Sequence, residues 1–208
     1  MDEYVRDGAE IYRRSFATIR AEAGLHGLEP VLERVVVRMI HACGMVDLAR
    51  DVGASPDFGP TAQELLRRGA PILCDTEMVA IGITRSRLPA GNEIVCTLSD
   101  PSVAKMAASM ETTRTAAAME LWRGRLDGAL VVVGNAPTAL FHLLELVEEG
   151  VGRPGAVVGV PVGFIGAAES KLALAEHEAG LEHVVVHGRR GGSAMAVAAV
   201  NALASERE

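Results

Sequence analysis

The sequence predicts an α/β protein: a three-layer α/β/α sandwich around a mainly parallel five-stranded sheet, with helices N-terminal to the sheet. Five short runs rich in Val and Ile supply the strands: "PILC" (71–74), "EIVC" (93–96), "GALVVVG" (128–134), "GAVVGV" (155–160) and "HVVVHG" (183–188). Their apolar residues are continuous, as in parallel strands covered on both faces, and do not alternate as in a sheet wetted on one side. Stretches with helical spacing separate the runs, and glycines or small polar residues mark the junctions. Strand, turn and helix repeated in that order describe a Rossmann-like doubly wound arrangement.

Taken in order, residues 4–23 alternate apolar and charged positions at helical spacing, with Ile11, Ser15 and Ile19 along one line, until Gly24 and Gly27 break the pattern. A second helix follows Pro30 and stops near Gly44, a residue suited to the left-handed turn after a helix C-terminus. A third covers about 60–68 and ends at Gly69. From there the strands alternate with "EMVAIGI", "DPSVAKMAASM" with "TTRTAAAMELW", "APTALFHLLELVEE", "AAESKLALAEH" and "GSAMAVAAVNALASE". No repeat or linker interrupts the 208 residues, so a single domain spanning 1–208 is expected.

Composition excludes several function classes. A net charge of −7 disfavours a nucleic-acid partner, because phosphate binding relies on a basic surface. No apolar run reaches the roughly 18 residues of a membrane span. The start "MDEYVRDGAE" is polar and acidic where a signal peptide has a basic start and an apolar middle, so a cytoplasmic protein is expected. Cys43, Cys74 and Cys96 form no C-x-x-C pair and read as small buried hydrophobes of a reducing compartment. His183 and His187 are four apart on a strand, about 13 Å at ~3.3 Å per residue, too far to share a metal ion. Of the 20 basic residues only Lys105 and Lys171 are lysine. Arginine's planar fork matches carboxylates two bonds at a time, which suits a polycarboxylate ligand, although Arg-rich coding would give the same bias.

The stretch "ERVVVRMIHACGMVD" (33–47) carries the chief candidates. Arg34, Arg38 and His41 are four and three residues apart and share one face of a helix that is otherwise greasy. Buried cations need a negative or wet partner. His41 lies in the last turn, where the helix dipole favours imidazolium, while Arg38 opposes it by like-charge repulsion. Such balance suits a group that gives and takes a proton near neutral pH, but a core histidine bonded to a carbonyl would look the same. Ser15, on the apolar line of the first helix, would by itself bond back to the Ile11 carbonyl. Arg85, Arg87 and Arg114 read as solvated or ion-paired surface residues. Asp75 and Glu77 could be a carboxylate pair, yet Asp75 reads more simply as the N-cap of a helix beginning at Thr76. Met39, Met45, Met78 and Met106 read as core filling. Loops at the carboxyl ends of strands, "CDTE", "GNAPT", "GVPVGFIG" and "HGRRGGS", offer backbone N–H groups for an anion, but none matches the dinucleotide or phosphate-loop glycine patterns.

The strings "RDGAEIYRRSF", "RMIHACG", "GAPILCDTEMVAIGITRSRLPAGNE", "GNAPTALFHLLE", "PVGFIGAAESK" and "GRRGGSAM", spread over about residues 4–204, resemble those of the precorrin-8X methylmutase family of cobalamin biosynthesis. The resemblance implies a Rossmann-like homodimer with its site near the subunit interface. It implies an isomerase that moves a methyl group between neighbouring carbons of ring C, turning precorrin-8X into hydrogenobyrinic acid, with no nucleotide or metal cofactor. The family's catalytic histidine maps onto His41, which would protonate or hydrogen-bond the ring-C nitrogen. Two substrate contacts map onto Ser15 and Arg38, and Arg85 and Arg114 lie in family-like stretches as further carboxylate clamps. "HACG" and "LPAGNE" lean toward the metal-free rather than the cobalt-bearing substrate. A non-enzymatic corrinoid carrier and a Rossmann oxidoreductase are the competing readings. An apolar macrocycle hung with carboxylates needs a greasy slot rimmed by guanidinium groups, which the Arg34–Arg38–His41 face would supply.

Overall fold

A computed structural model describes residues 4–205. Helix α1 (Gly8–Glu22) opens where the Asp7 carboxylate accepts the Ala9 N–H at 3.0 Å. Helix α2 (Pro30–Cys43) has proline in its first turn, Glu29 accepting the N–H groups of Val31 and Leu32, and Gly44 at φ 71° as its left-handed stop. A 3₁₀ turn (Val46–Asp51) leads into strand β1 (Val52–Ala54), then α3 (Phe58–Arg67) and β2 (Ile72–Cys74). Next come α4 (Glu77–Gly82), a 3₁₀ turn (Arg85–Arg87), β3 (Ile94–Val95), α5 (Val103–Ser109), α6 (Arg114–Met119) and β4 (Leu130–Val133). The chain closes with α7 (Pro137–Glu148), β5 (Ala156–Gly159), α8 (Ala167–Ala175), β6 (His183–Val186) and α9 (Ser193–Ala204).

The expected sandwich is present, but its sheet has six strands where the sequence predicts five, in the order β1-β6-β5-β4-β2-β3. The extra strand, β1, lies antiparallel on β6 at the edge, while all other neighbours are parallel. Three residues, "VGA", are too short to show a period; β1 exists because β6 offers it an unpaired edge. The two faces of the sheet follow from the twofold alternation of side chains. Ile72, Leu130, Val132, Val158 and Val184 face α2, α3 and α9, and Leu73, Val131, Val133, Val157 and Val185 face α7 and α8. Helix α1 lies outside α2, held by Phe16 and Ile19, so the catalytic candidates of both helices meet at a helix pair flanking the sheet.

The parallel order reverses between β2 and β4, and at that point Asp75 departs from its expected role. Helix α4 begins at Glu77, after Thr76, with no side-chain cap. The Asp75 carboxylate instead crosses to the loop after β4 and accepts the N–H groups of Gly134, Asn135 and Ala136 at 3.0, 2.8 and 3.0 Å. The "GNAPT" donors that the sequence offers to a ligand are therefore taken by the protein's own carboxylate.

The loops after β5 and β6 are stitched together: Gly192 N–H donates to the Val160 carbonyl at 2.8 Å and Gly163 N–H to the Arg189 carbonyl at 3.2 Å. Gly191 lies so close beneath that a Cβ there would collide with the carbonyl oxygens of Val160 and Pro161. Since backbone cannot move aside cheaply, Gly191→Ala is expected to cost about 2–4 kcal/mol in a urea titration.

Candidate active site

Arg34, Arg38 and His41 share one face of α2, as their spacing requires, and α1 lays Tyr12, Ser15 and Phe16 against it at the matching spacing of three and four. Ser15 Oγ lies 2.8 Å from His41 Nδ1. This corrects the expected bond from Ser15 back to the Ile11 carbonyl; Ile11 itself is 45% exposed, off the buried line that Phe16 and Ile19 define. The His41 ring is boxed by two aromatics: Tyr12, with ring centroids 5.1 Å apart, and Phe16, edge-on at 5.3 Å. The Arg38 guanidinium sits over the Phe16 ring at 5.3 Å, a cation–π arrangement that holds the charge beside the imidazole.

Burial holds the His41 pKa below the usual histidine value, and the like charge of Arg38 lowers it further. The helix dipole expected to favour imidazolium is outweighed, because desolvation acts on the whole charge. His41 is therefore mainly neutral at pH 7. The Ser15 contact permits two neutral tautomers: an Oγ–H donating to Nδ1, which places the hydrogen on Nε2, or the reverse. In either, Nε2 has no hydrogen-bond partner among the described residues and is left for a ligand. Among the described residues Arg34 bonds only the Pro30 carbonyl, at 3.4 Å, and its buried Nε has no partner there. The described partners of this face include the Phe16 ring for Arg38 and the Pro30 carbonyl for Arg34, and Arg34 has no carboxylate among the described residues.

Arg85 and Arg114 stand elsewhere. Arg85 is exposed in the 3₁₀ turn after α4, and Arg114 is exposed at the start of α6, with an N–H to the Leu98 carbonyl at 3.4 Å. Neither has a described contact to the Ser15–His41 pair. Tyr12 and Phe16 were missed by sequence reasoning, although Tyr12 stands three residues before Ser15 and four before Phe16, a spacing that would have grouped the three. Met39 is core as expected, but Met78 is 74% exposed beside Ile81 at 80%, so the α4 surface is apolar and open.

Beyond Gly44 an apolar cavity of about 280 Å³ opens, lined by Met45, Val162, Phe164, Met195 and the Arg189–Gly191 turn. Arg189 rests its guanidinium 5.2 Å from the Phe164 ring centre. Arg190 turns the other way, to Asp47 at 2.6 Å and Asp51 at 3.6 Å.

Fold and site together describe an α/β enzyme, with one imidazole presented beside arginines and aromatic rings in a setting suited to a large, apolar, anionic ligand. The family model described as precorrin-8X methylmutase matches residues 10–206, and the chain belongs to that family, of methyl-migrating isomerases in cobalamin biosynthesis. It is 57% identical over 208 residues to the precorrin-8X methylmutase of Pseudomonas aeruginosa, covering 100% of both chains. It is 56% identical over 202 residues to that of a Sinorhizobium species, covering 97% of this chain and 96% of the relative. Among solved structures, the precorrin-8x methyl mutase of Thermus thermophilus superposes with a TM-score of 0.84 at 39% identity, over 93% of this chain and 95% of the other.

Proposed function

We propose that the chain, as one domain over 1–208, converts precorrin-8X to hydrogenobyrinic acid in the cytoplasm, moving a methyl group between neighbouring carbons of ring C. The observation that carries this reading is the Ser15–His41 contact, which engages Nδ1 and leaves Nε2 without a hydrogen-bond partner among the described residues. His41 Nε2–H donates a hydrogen bond to the ring-C nitrogen or, as imidazolium once a substrate carboxylate has paired with Arg38, passes it a proton and recovers it afterwards; either draws electron density out of the conjugated ring so that the methyl group can migrate. Ser15 sets the tautomer and angle of the ring. Arg38 grips a carboxylate arm of the tetrapyrrole, and Arg85 and Arg114 clamp others. Because those two stand away from His41 within one copy, this reading has the enzyme work as a homodimer, the second copy closing the slot. The exposed side chains of Met78, Ile81, Phe164 and Ile165 support it, since such apolar groups suit a buried interface. The metal-free substrate is favoured because the relatives at 56 and 57% identity are named for it. The test is incubation with precorrin-8X and, separately, with its cobalt-bearing counterpart, followed by absorption spectra. Methyl migration changes the conjugation, and a spectral change with the cobalt form alone would reassign the substrate.

Arg38 has a second expected effect. It lowers the His41 pKa by like-charge repulsion, so a carboxylate paired to Arg38 relieves that repulsion and raises the pKa on binding. Arg38→Met is expected to move the His41 pKa upward in the free enzyme, seen by NMR titration of its imidazole, and to raise KM about tenfold or more through the lost carboxylate contact. A downward movement of the pKa would contradict the assignment.

A further inference from the structure

Lys171 is completely buried on α8, one of only two lysines in the chain, and the mechanism above gives it no task. Its Nζ donates to the carbonyl oxygen of Arg190 at 2.6 Å. Burial pushes its pKa down to about 8, opposed by the negative charge of Asp51, so at pH 7 the ammonium is mostly protonated and holds that carbonyl as a charged donor. Burying a lysine solely for stability is a poor solution, because an apolar side chain of similar size does as well without the desolvation cost. What the ammonium does here is local. From below it fixes the peptide that joins Arg190 to Gly191. From above, the Arg190 guanidinium ties the same residue to Asp47 and Asp51, in the turn that follows α2. The backbone of Asp51 closes the ring by accepting the His187 N–H at 2.7 Å.

The residue held out by this clamp is Arg189. It is exposed at the rim of the 280 Å³ cavity, whose lining includes Met45, four positions after His41 in the chain, and it has no ion-pair partner among the described residues. Its guanidinium lies over Phe164, which keeps it extended while leaving its N–H edge free. We propose that Arg189 grips a carboxylate arm of the tetrapyrrole and that Lys171 is its positioning residue, fixing the Arg189–Gly191 turn through the Arg190 carbonyl. Met45, Val162 and Phe164 then receive the apolar edge of the macrocycle beside that arm. This rests on the tetrapyrrole substrate argued above.

The experiment measures KM and kcat for precorrin-8X, and the Kd of hydrogenobyrinic acid by absorbance titration, in the full-length enzyme and in Arg189→Gln, Lys171→Met and the double variant. Arg189→Gln, at an exposed position, is expected to raise KM and Kd about tenfold or more with kcat within about threefold, the size of one charge-assisted contact. Lys171→Met, checked for folding by circular dichroism, is expected to do the same, and the double variant to be no worse than either alone, because both remove one interaction. Lys171→Arg, which keeps a charged donor, is expected to recover part of the affinity. An unchanged KM in Arg189→Gln overturns the proposal even if the lysine variant fails to fold. Additive effects in the double variant overturn the positioning role. A wild-type enzyme that leaves both forms of the substrate unconverted and binds no hydrogenobyrinic acid overturns the substrate reading itself, a separate result.

Discussion

Replacing His41 with alanine is expected to lower kcat for precorrin-8X by about 10²–10⁴-fold, the usual contribution of a placed general acid or base. Binding of the product is expected to survive within a few-fold, because the carboxylate arms are held by arginines and not by the imidazole. The fold should survive as well: His41 is only partly buried, and its loss removes one hydrogen bond, to Ser15, worth about 1 kcal/mol. The two readouts separate an isomerase from a carrier. A carrier would bind the tetrapyrrole with or without His41 and convert nothing in either form, so an alanine variant that matches the wild type in both assays would rule out His41 as the catalyst. Nucleotide copurifying without pigment would point instead to an oxidoreductase. Glutamine at 41 is the sharper control, since it keeps a hydrogen-bond donor but cannot carry the proton away. Full activity in that variant would show that a hydrogen bond to the ring-C nitrogen suffices.

Asp75→Ala is expected to be among the most destabilising single changes outside the apolar cores, by about 2–4 kcal/mol in urea unfolding. Three backbone N–H groups lose their acceptor together, and those that are buried are left unsatisfied. Burial raises the Asp75 pKa, opposed by those same three donors. This is the arrangement of an anion held by a nest of amides, with the protein supplying the anion. Asp75→Asn keeps one acceptor oxygen but turns an N–H₂ toward donors, so it should recover only part of the loss. A variant as stable as the wild type would mean that the loop after β4 finds other partners, and the carboxylate could then be examined for a role in the reaction.

The periodicities of this chain were legible without a structure. Val and Ile in unbroken runs marked five of the six strands, because a parallel strand buried on both faces has no polar position to spend. The stop of α2 at Gly44 and the shared face of Arg34, Arg38 and His41 follow from helical geometry alone. The family, too, was recognisable from long strings such as "GNAPTALF", which no single spacing argument could have produced. What the spacing could not supply was any pairing between segments. The expected bond of Ser15 was a local one, and the observed partner is 26 residues away. Asp75 read as a cap for the next helix, and the groups it holds begin 59 residues later.

Local backbone geometry determines which side chains line up along an element, so the sequence by itself determined the layers, the parallel runs and the cationic face of α2. Only the tertiary structure decided what that face meets. The docking of α1 placed Ser15, Tyr12 and Phe16 around His41, and the resulting loss of water, which no spacing reveals, turned a histidine expected to balance between two charges into one held neutral. The edge strand β1, the capture of the "GNAPT" amides by Asp75 and the burial of Lys171 beneath Arg190 arise for the same reason: each depends on which surfaces exclude solvent together, a property of packing between distant segments and not of the order of residues along any one of them.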